Sequence, residues 1–145
     1  MADVIRFTVP LPPPALRGNS RAHWAKRKKA ADEYSEDVWA AFNAVPTRVD
    51  DCPHCTGPWE TAHVTYVWKY AGVAPDHSNL GQHTKYLQDI ICCAPKLSPA
   101  QAQKYKRWHL GIVENDAGIE AEYHMEKVAH RKDEAVEVTI RRVDE

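Results

Sequence analysis

The residues of this chain best suited to chemistry lie in the stretch Asp76-His-Ser-Asn-Leu-Gly-Gln-His-Thr-Lys85-Tyr-Leu-Gln-Asp89. A carboxylate follows a strand pattern, an Asn opens a helix pattern, and Lys85 and a second carboxylate stand one helical turn apart. Such a set suits a metal ion held against a phosphate better than it suits a buried core. Phosphodiester hydrolysis needs oxygen ligands for the ion, an activated water, and a cation to offset charge on the phosphate. Each residue also has a structural reading. Asp76 could be a turn or N-cap acid, and Lys85 with Asp89 could be a surface i, i+4 pair worth about 0.2–0.5 kcal/mol.

The flanking pattern supplies elements to position them. Residues 61–70 alternate Ala62, Val64, Tyr66, Trp68 and Tyr70 against Thr61, His63, Thr65, Val67 and Lys69, the period of a half-buried strand. From Asn79 to about Ala94 the spacing predicts a helix, with Leu80, Thr84, Leu87 and Ile91 on one face and Pro95 as its stop. Ser78, Gln82, Lys85 and Asp89 recur on a neighbouring polar face. Upstream, residues 4–9 alternate as a strand, and a proline-rich connector at 10–19 follows. A long helix from about Arg21 to Ala44, with Ser20 as its N-cap, carries Ala31, Tyr34, Val38 and Phe42 in one stripe, which Trp24 would extend as a core anchor, the alternative for Trp24 being a base-stacking platform. Downstream, Ser98-Pro99 starts a short helix through Trp108, and 111–116 reads as a turn. Residues 119–126 and 136–141 then alternate as two closing strands joined in a hairpin by 131–134. The order predicts one α/β (α+β) domain over residues 1–145, a mixed sheet of about four strands with two main helices packed on it.

The whole-chain numbers agree with a globular protein. Hydrophobic residues make up 43% and charged residues 27%, and the formal net charge is −1. No apolar run reaches the ~20 residues that span a bilayer, and the N-terminus lacks the order of a signal peptide, so a cytoplasmic location without membrane contact is expected. Charge is unevenly spread: Arg17, Arg21, Lys26, Arg27, Lys28 and Lys29 crowd together, whereas many acids lie in 114–145. Basic residues at the start of a helix oppose its dipole, so this cluster answers to something other than helix stability. We assign Arg17, Arg21, Lys26, Arg27 and Lys29 to phosphate contacts with a nucleic acid backbone, against the simpler reading of a solvated helix surface.

Four cysteines in a cytoplasmic chain suggest thiols or metal ligands before disulfides. Cys52-Pro-His-Cys55, in a loop at 46–58, has the spacing of half a zinc site, and Cys92 and Cys93 are candidates for the other half of a structural Zn²⁺. Free thiols in a loop and buried helix cysteines are the alternative. A thioredoxin-like motif is excluded because Gly57 and Pro58 prevent the helix that should begin there.

Taken together, three separated motifs resemble one family. Asn19-Ser-Arg21-Ala-His23-Trp24-Ala-Lys26 follows a proline-rich turn, Asp76-x-x-Asn79-Leu80-x4-Lys85-x3-Asp89 follows the strong strand, and Asn115-Asp116 precedes the closing strands. In this order they resemble the RusA-like Holliday junction resolvases of phages and prophages, over most of the chain. The resemblance implies a homodimer that cuts branched DNA with Mg²⁺ (or Mn²⁺). Asp76 and Asp116 match the metal carboxylates, Lys85 the lysine, and Asp89 a further acidic position. The chain departs from the family pattern where Ser78 replaces the second acid of Asp-x-Asp and Asn115 the first of a downstream acid pair, and residues 95–110 form a longer segment. A non-catalytic DNA-binding descendant and a zinc-stabilised phage interaction protein are therefore the competing expectations.

Overall fold

The computed structural model describes residues 4–16, 23–44 and 58–143. Arg17 and Arg21, together with Cys52 and Cys55, lie outside these described residues, and so does the Ser20 cap. Among the described residues four strands form one mixed sheet: β1 (Val4–Val9), β2 (Ala62–Tyr70), β3 (Ile119–Lys127) and β4 (Ala135–Arg142), in spatial order β1-β4-β2-β3. Four α-helices among the described residues accompany them: α1 (Trp24–Asn43), α2 (Leu80–His83), α3 (Lys85–Ile91) and α4 (Pro99–Lys104). The α+β class expected from the sequence is the class observed. Among the described residues no helix is long and apolar enough to cross a membrane.

The hairpin expected between the closing strands does not form. β4 lies antiparallel to both β1 and β2, while β3 lies parallel to β2 on its other side. The side chains give the reason. β2 buries Ala62, Val64, Tyr66 and Trp68 on one face and takes a central place. β3 offers Glu120, Glu122 and Glu126 with only Ala121 and Tyr123 half-buried between them, a composition that tolerates a sheet edge. A parallel neighbour requires a crossover, and α2 and α3 supply it between β2 and β3.

One apolar cluster joins the sheet to α1 and α3, with Ile5, Phe7, Val9, Val136, Val138 and Ile140 from the strands facing Ala31, Tyr34, Val38, Phe42, Leu87 and Ile91. The stripe read from the sequence is thus the buried face of α1, with one exception. Trp24, expected to anchor the core, is 71% exposed. It stands in the first turn, where His23 rather than an upstream residue caps the helix: its Nδ1 accepts from the Ala25 N–H at 3.3 Å.

The helix after β2 is shorter and bent. It stops at Ile91 and is interrupted at Thr84, which is buried and whose hydroxyl donates to the Leu80 carbonyl at 2.8 Å. Back-bonding of this kind competes with the helical ladder and bends it. Cys92 is therefore extended and pairs with Val113, which in turn pairs with Trp59. Leu110, Ile112 and Val113, in and just before the expected turn, are buried core residues. The short helix α4 has the expected Ser98 cap, with a reciprocal Gln101 bond, but ends at Lys104 and buries nothing.

Candidate functional site

The direction of the α2–α3 crossover decides which polar residues meet. The helices run back against β2, so Asp76, beyond the C-terminal end of β2, and Asp89, near the end of α3, are carried apart. The turn Asp116–Gly118 abuts the entry to β2, where a Cβ on Gly118 would fall 2.1 Å from the Glu60 carbonyl oxygen. Ala62 pairs with Ile119 and Tyr70 with Lys127. Asp116 therefore stands at one end of the strand pair and Asp76 at the other, roughly 25 Å apart at ~3.3 Å per residue. The two acids that the resemblance assigns to one metal are not brought together within one copy.

Asp116 instead meets Asp89. Both line a cavity of about 780 Å³ with Cys92, Tyr105, Arg107 and His109. Burial pushes the Asp89 carboxyl above its usual range, and Asp116 adds to the rise while Lys85, Arg107 and His109 oppose it. The Cys92 thiol is pushed up to about 12, by burial first and then by the carboxylates of Asp116 and Asp89. Two carboxylates on one cavity, Asp89 half-buried and Asp116 exposed, form a donor set that fits a hard divalent cation, for which one or two carboxylates plus water are common ligands. Among the described residues, no three His, Cys, Asp or Glu side chains converge as a metal-holding group.

Lys96 and Arg107 line this cavity, and Lys85 stands outside its lining. Lys85 is exposed at the start of α3, one turn from Asp89. Arg107 packs over the Tyr86 ring, 5.5 Å from its centroid, and lies 3.5 Å from Asp32 of α1. That distance makes an ion pair without a well-formed hydrogen bond, and the Arg107 Nε is buried with no hydrogen-bond partner among the described residues. His109 is held from both sides, by the Asp89 backbone carbonyl at Nδ1 and the Tyr105 hydroxyl at Nε2. A carbonyl only accepts, so Nδ1 carries the proton and Nε2 of the neutral ring accepts from Tyr105. The sequence reading missed Arg107, Tyr105 and His109. The signal that could find them is the alternation at 105, 107 and 109, which the helix expected from Ser98 through Trp108 hides.

At the far end of β2, Asp76 Oδ1 accepts from the Ser78 N–H at 3.1 Å and from the Ser78 hydroxyl at 2.9 Å. Asp76 also lines a smaller cavity, about 300 Å³, with Trp68, Asn79, His83 and Glu134. Ser78 thus converts the position of an expected acid into a donor that caps its neighbour. Asn115 is also engaged locally, but as an acceptor: its Oδ1 accepts from the Ala117 N–H at 3.0 Å.

The basic face divides in the same way. Lys26 and Lys29 are exposed on α1, whereas Arg27 is half-buried and its Nε donates to the Ala15 carbonyl at 3.2 Å, which ties the helix to the preceding turn. Lys28 pairs with Asp32 at 3.3 Å. For the zinc expectation, Cys92 is buried beside Asp89 and Asp116, and Cys93 is less buried on the next position of an extended segment. Both thiols line the cavity that Asp89 and Asp116 share. The comparison with protein-family models gave no match, and neither did the comparison with curated proteins.

Proposed function

We propose that the protein is a structure-selective DNA endonuclease, a cytoplasmic enzyme that hydrolyses phosphodiester bonds in Holliday junctions or related branched DNA with Mg²⁺ (or Mn²⁺). The observation that carries this reading is that Asp89 and Asp116 line one open cavity with Arg107, with Lys85 one helical turn from Asp89. Paired acids with cations beside them are the arrangement that phosphoryl chemistry uses. When bound there, the ion supplies charge neutralisation and a more acidic water. Lys85 and Arg107 hold the phosphate oxygens as charge develops on them, the planar guanidinium suiting two oxygens at once. Arg107 needs Asp32 and Tyr86 to keep its orientation. Lys26 and Lys29 add backbone contacts that position DNA without reading its bases.

The functional unit is a homodimer. Asp76 and Asp116 stand at opposite ends of β2, but among the described residues β3 is an edge strand with one neighbour. If two copies paired antiparallel along β3 about its middle residue, Tyr123, the Asp116 end of one copy would meet the Asp76 end of the other. A two-fold interface is self-complementary, so two equal sites would form, as symmetric cutting of a junction requires. In that register Glu122 and His124, already 3.0 Å apart within one chain, would also face each other across the interface in both directions.

The test is cleavage of a synthetic four-way junction with Mg²⁺ or Mn²⁺. Cutting that is lost in Asp116→Asn and in Asp76→Asn supports the reading. Junction binding without cutting by the wild type would establish the binding-only alternative, which Ser78 and Asn115 favour by removing two charges from the expected site.

A further inference from the structure

The cavity beyond the C-terminal end of β2 differs in composition from the one that holds Asp89 and Asp116. It is the smaller of the two, about 300 Å³, and among the described residues no lysine or arginine lines it. Its charged lining is two carboxylates, the exposed Asp76 and the half-buried Glu134. The chain brings them together for local reasons. β2 ends at Tyr70, Gly72 takes a left-handed turn at φ 85°, and Val73, Ala74, Pro75 and Asp76 then form one wall. Ala135 of β4 pairs with Lys69, so Glu134 lies beside the end of β2, where its Oε2 accepts from the Ala71 N–H at 2.9 Å. That bond holds the carboxylate in place against the turn.

The rest of the lining is mainly apolar and aromatic, with Leu11, Trp68 and Tyr70. Trp68 is buried and backed by His83 at 5.9 Å between ring centroids, so this wall is continuous with the core. Acids and rings together narrow the occupant. An anion is repelled by both carboxylates. A bare divalent ion would use the carboxylates and gain nothing from the apolar walls. A neutral apolar molecule would fill the walls and strip water from the carboxylates without replacing its hydrogen bonds. A protonated amine on a short aliphatic chain uses both, because its ammonium donates to carboxylates and is attracted to ring faces while its methylenes pack on the apolar wall. The volume lies at the small end of ligand pockets, which limits the occupant to a small molecule or a single side chain.

We propose that this cavity binds a small organic cation, an ammonium or guanidinium group carried on a short aliphatic chain, between Glu134 and the Trp68–Tyr70 wall. Glu134 is the principal charge partner. Asp76, which the nuclease reading also gives to the shared metal site, adds its charge from the exposed side. Free polyamines and the lysine or arginine side chains of another protein carry the same chemistry. The proposal goes beyond the nuclease reading and does not rest on it, so a protein that cuts no junction would still hold the cation.

Titration calorimetry with putrescine, agmatine and the uncharged isostere 1,4-butanediol tests it, at about 0.15 M NaCl so that loose surface attraction is screened. Both cations should bind and the diol should not. Glu134→Gln keeps an acceptor for the Ala71 N–H and removes only the charge, and it should weaken putrescine about tenfold. Tyr70→Leu should weaken it about fivefold through the lost ring. Thermal melts confirm that each variant is folded, and the wild-type arms need no variant. A diamine that binds more tightly than Nα-acetyl-lysine amide identifies a free polyamine as the occupant, and the reverse order identifies a protein side chain; both support the site. Four outcomes overturn the proposal: no binding of either cation, diol binding equal to putrescine, an unchanged affinity in folded Glu134→Gln, or displacement of putrescine by Mg²⁺ as readily as by agmatine.

Discussion

The two ends of β2 both carry an aspartate that the sequence singles out, yet their surroundings differ. At the Asp116 end, two carboxylates face one cavity, burial and mutual repulsion raise Asp89, and Lys96 and Arg107 share the lining. At the other end, Asp76 is already engaged, with one oxygen accepting two bonds from Ser78. The first arrangement gains from a divalent cation. The second must exchange a local hydrogen bond for one. An acid in the right motif is thus only half of a metal site; what its neighbours already offer it decides whether the ion adds anything.

The largest effect expected is at the first end. Asp116→Asn should lower junction cleavage about a thousandfold, since the metal's contribution is several kcal/mol of transition-state charge. The same change should abolish any rise in melting temperature on adding Mg²⁺, as only a cation that binds the folded protein raises it. Loss of cleavage with the Mg²⁺ shift retained would move the ion elsewhere.

Arg107→Ala should cost about a hundredfold in turnover, in the range of losing one preorganised charge-stabilising donor. Arg107→Lys should recover little of it, because an ammonium lacks the fork. Recovery by lysine would mean that Arg107 acts as a point charge only.

Ser78→Asp sharpens the contrast from the opposite end. It restores a carboxylate beside Asp76 and removes the donor hydroxyl, and the apparent Mg²⁺ affinity in the cleavage assay should rise about tenfold, as one added charge near the ion is worth roughly 1 kcal/mol or more. Unchanged metal dependence would show that this end contributes no ligand.

The smallest effect is on stability. Because the folded-state pKa of Asp89 is raised, its ionised form is disfavoured by folding, and the penalty is full above that pKa and absent once pH falls below the unfolded value. Asp89→Asn should therefore melt higher than wild type at pH 7, with the difference vanishing as pH falls to about 3. Thermal melts across that range, without divalent ions, give the comparison. An advantage that persists at pH 3 would assign the effect to packing instead of charge.

Much of the fold could be read directly from the sequence, because periodicity reports burial. The α1 stripe, the β2 alternation and the Leu80–Leu87–Ile91 face are buried as their spacing implies. Strand order could not be read in the same way. The hairpin expected between residues 119–126 and 136–141 follows the commonest local connection, but which strands pair depends on which can tolerate an edge, and the glutamates of β3 decided that. The polar motif was legible as chemistry and not as geometry: Asp76, Lys85 and Asp89 were identifiable by type and spacing, whereas the reversal of α2–α3 along β2, which separates Asp76 from Asp116, is a tertiary fact. Trp24 shows the converse case. Its hydrophobicity suggested a core anchor, but its place in the first turn of α1 leaves it facing solvent.

The central claim is that the cutting site is shared between two copies, Asp116 from one and Asp76 from the other. Differently tagged Asp76→Asn and Asp116→Asn chains, co-expressed and purified as a mixed dimer, test it directly. In that dimer one of the two shared sites keeps both acids, so the account predicts that each variant alone is inactive while the mixed dimer cuts one strand of a four-way junction in Mg²⁺. A mixed dimer as inactive as its parents, or an Asp76→Asn homodimer that cuts like wild type, would contradict it.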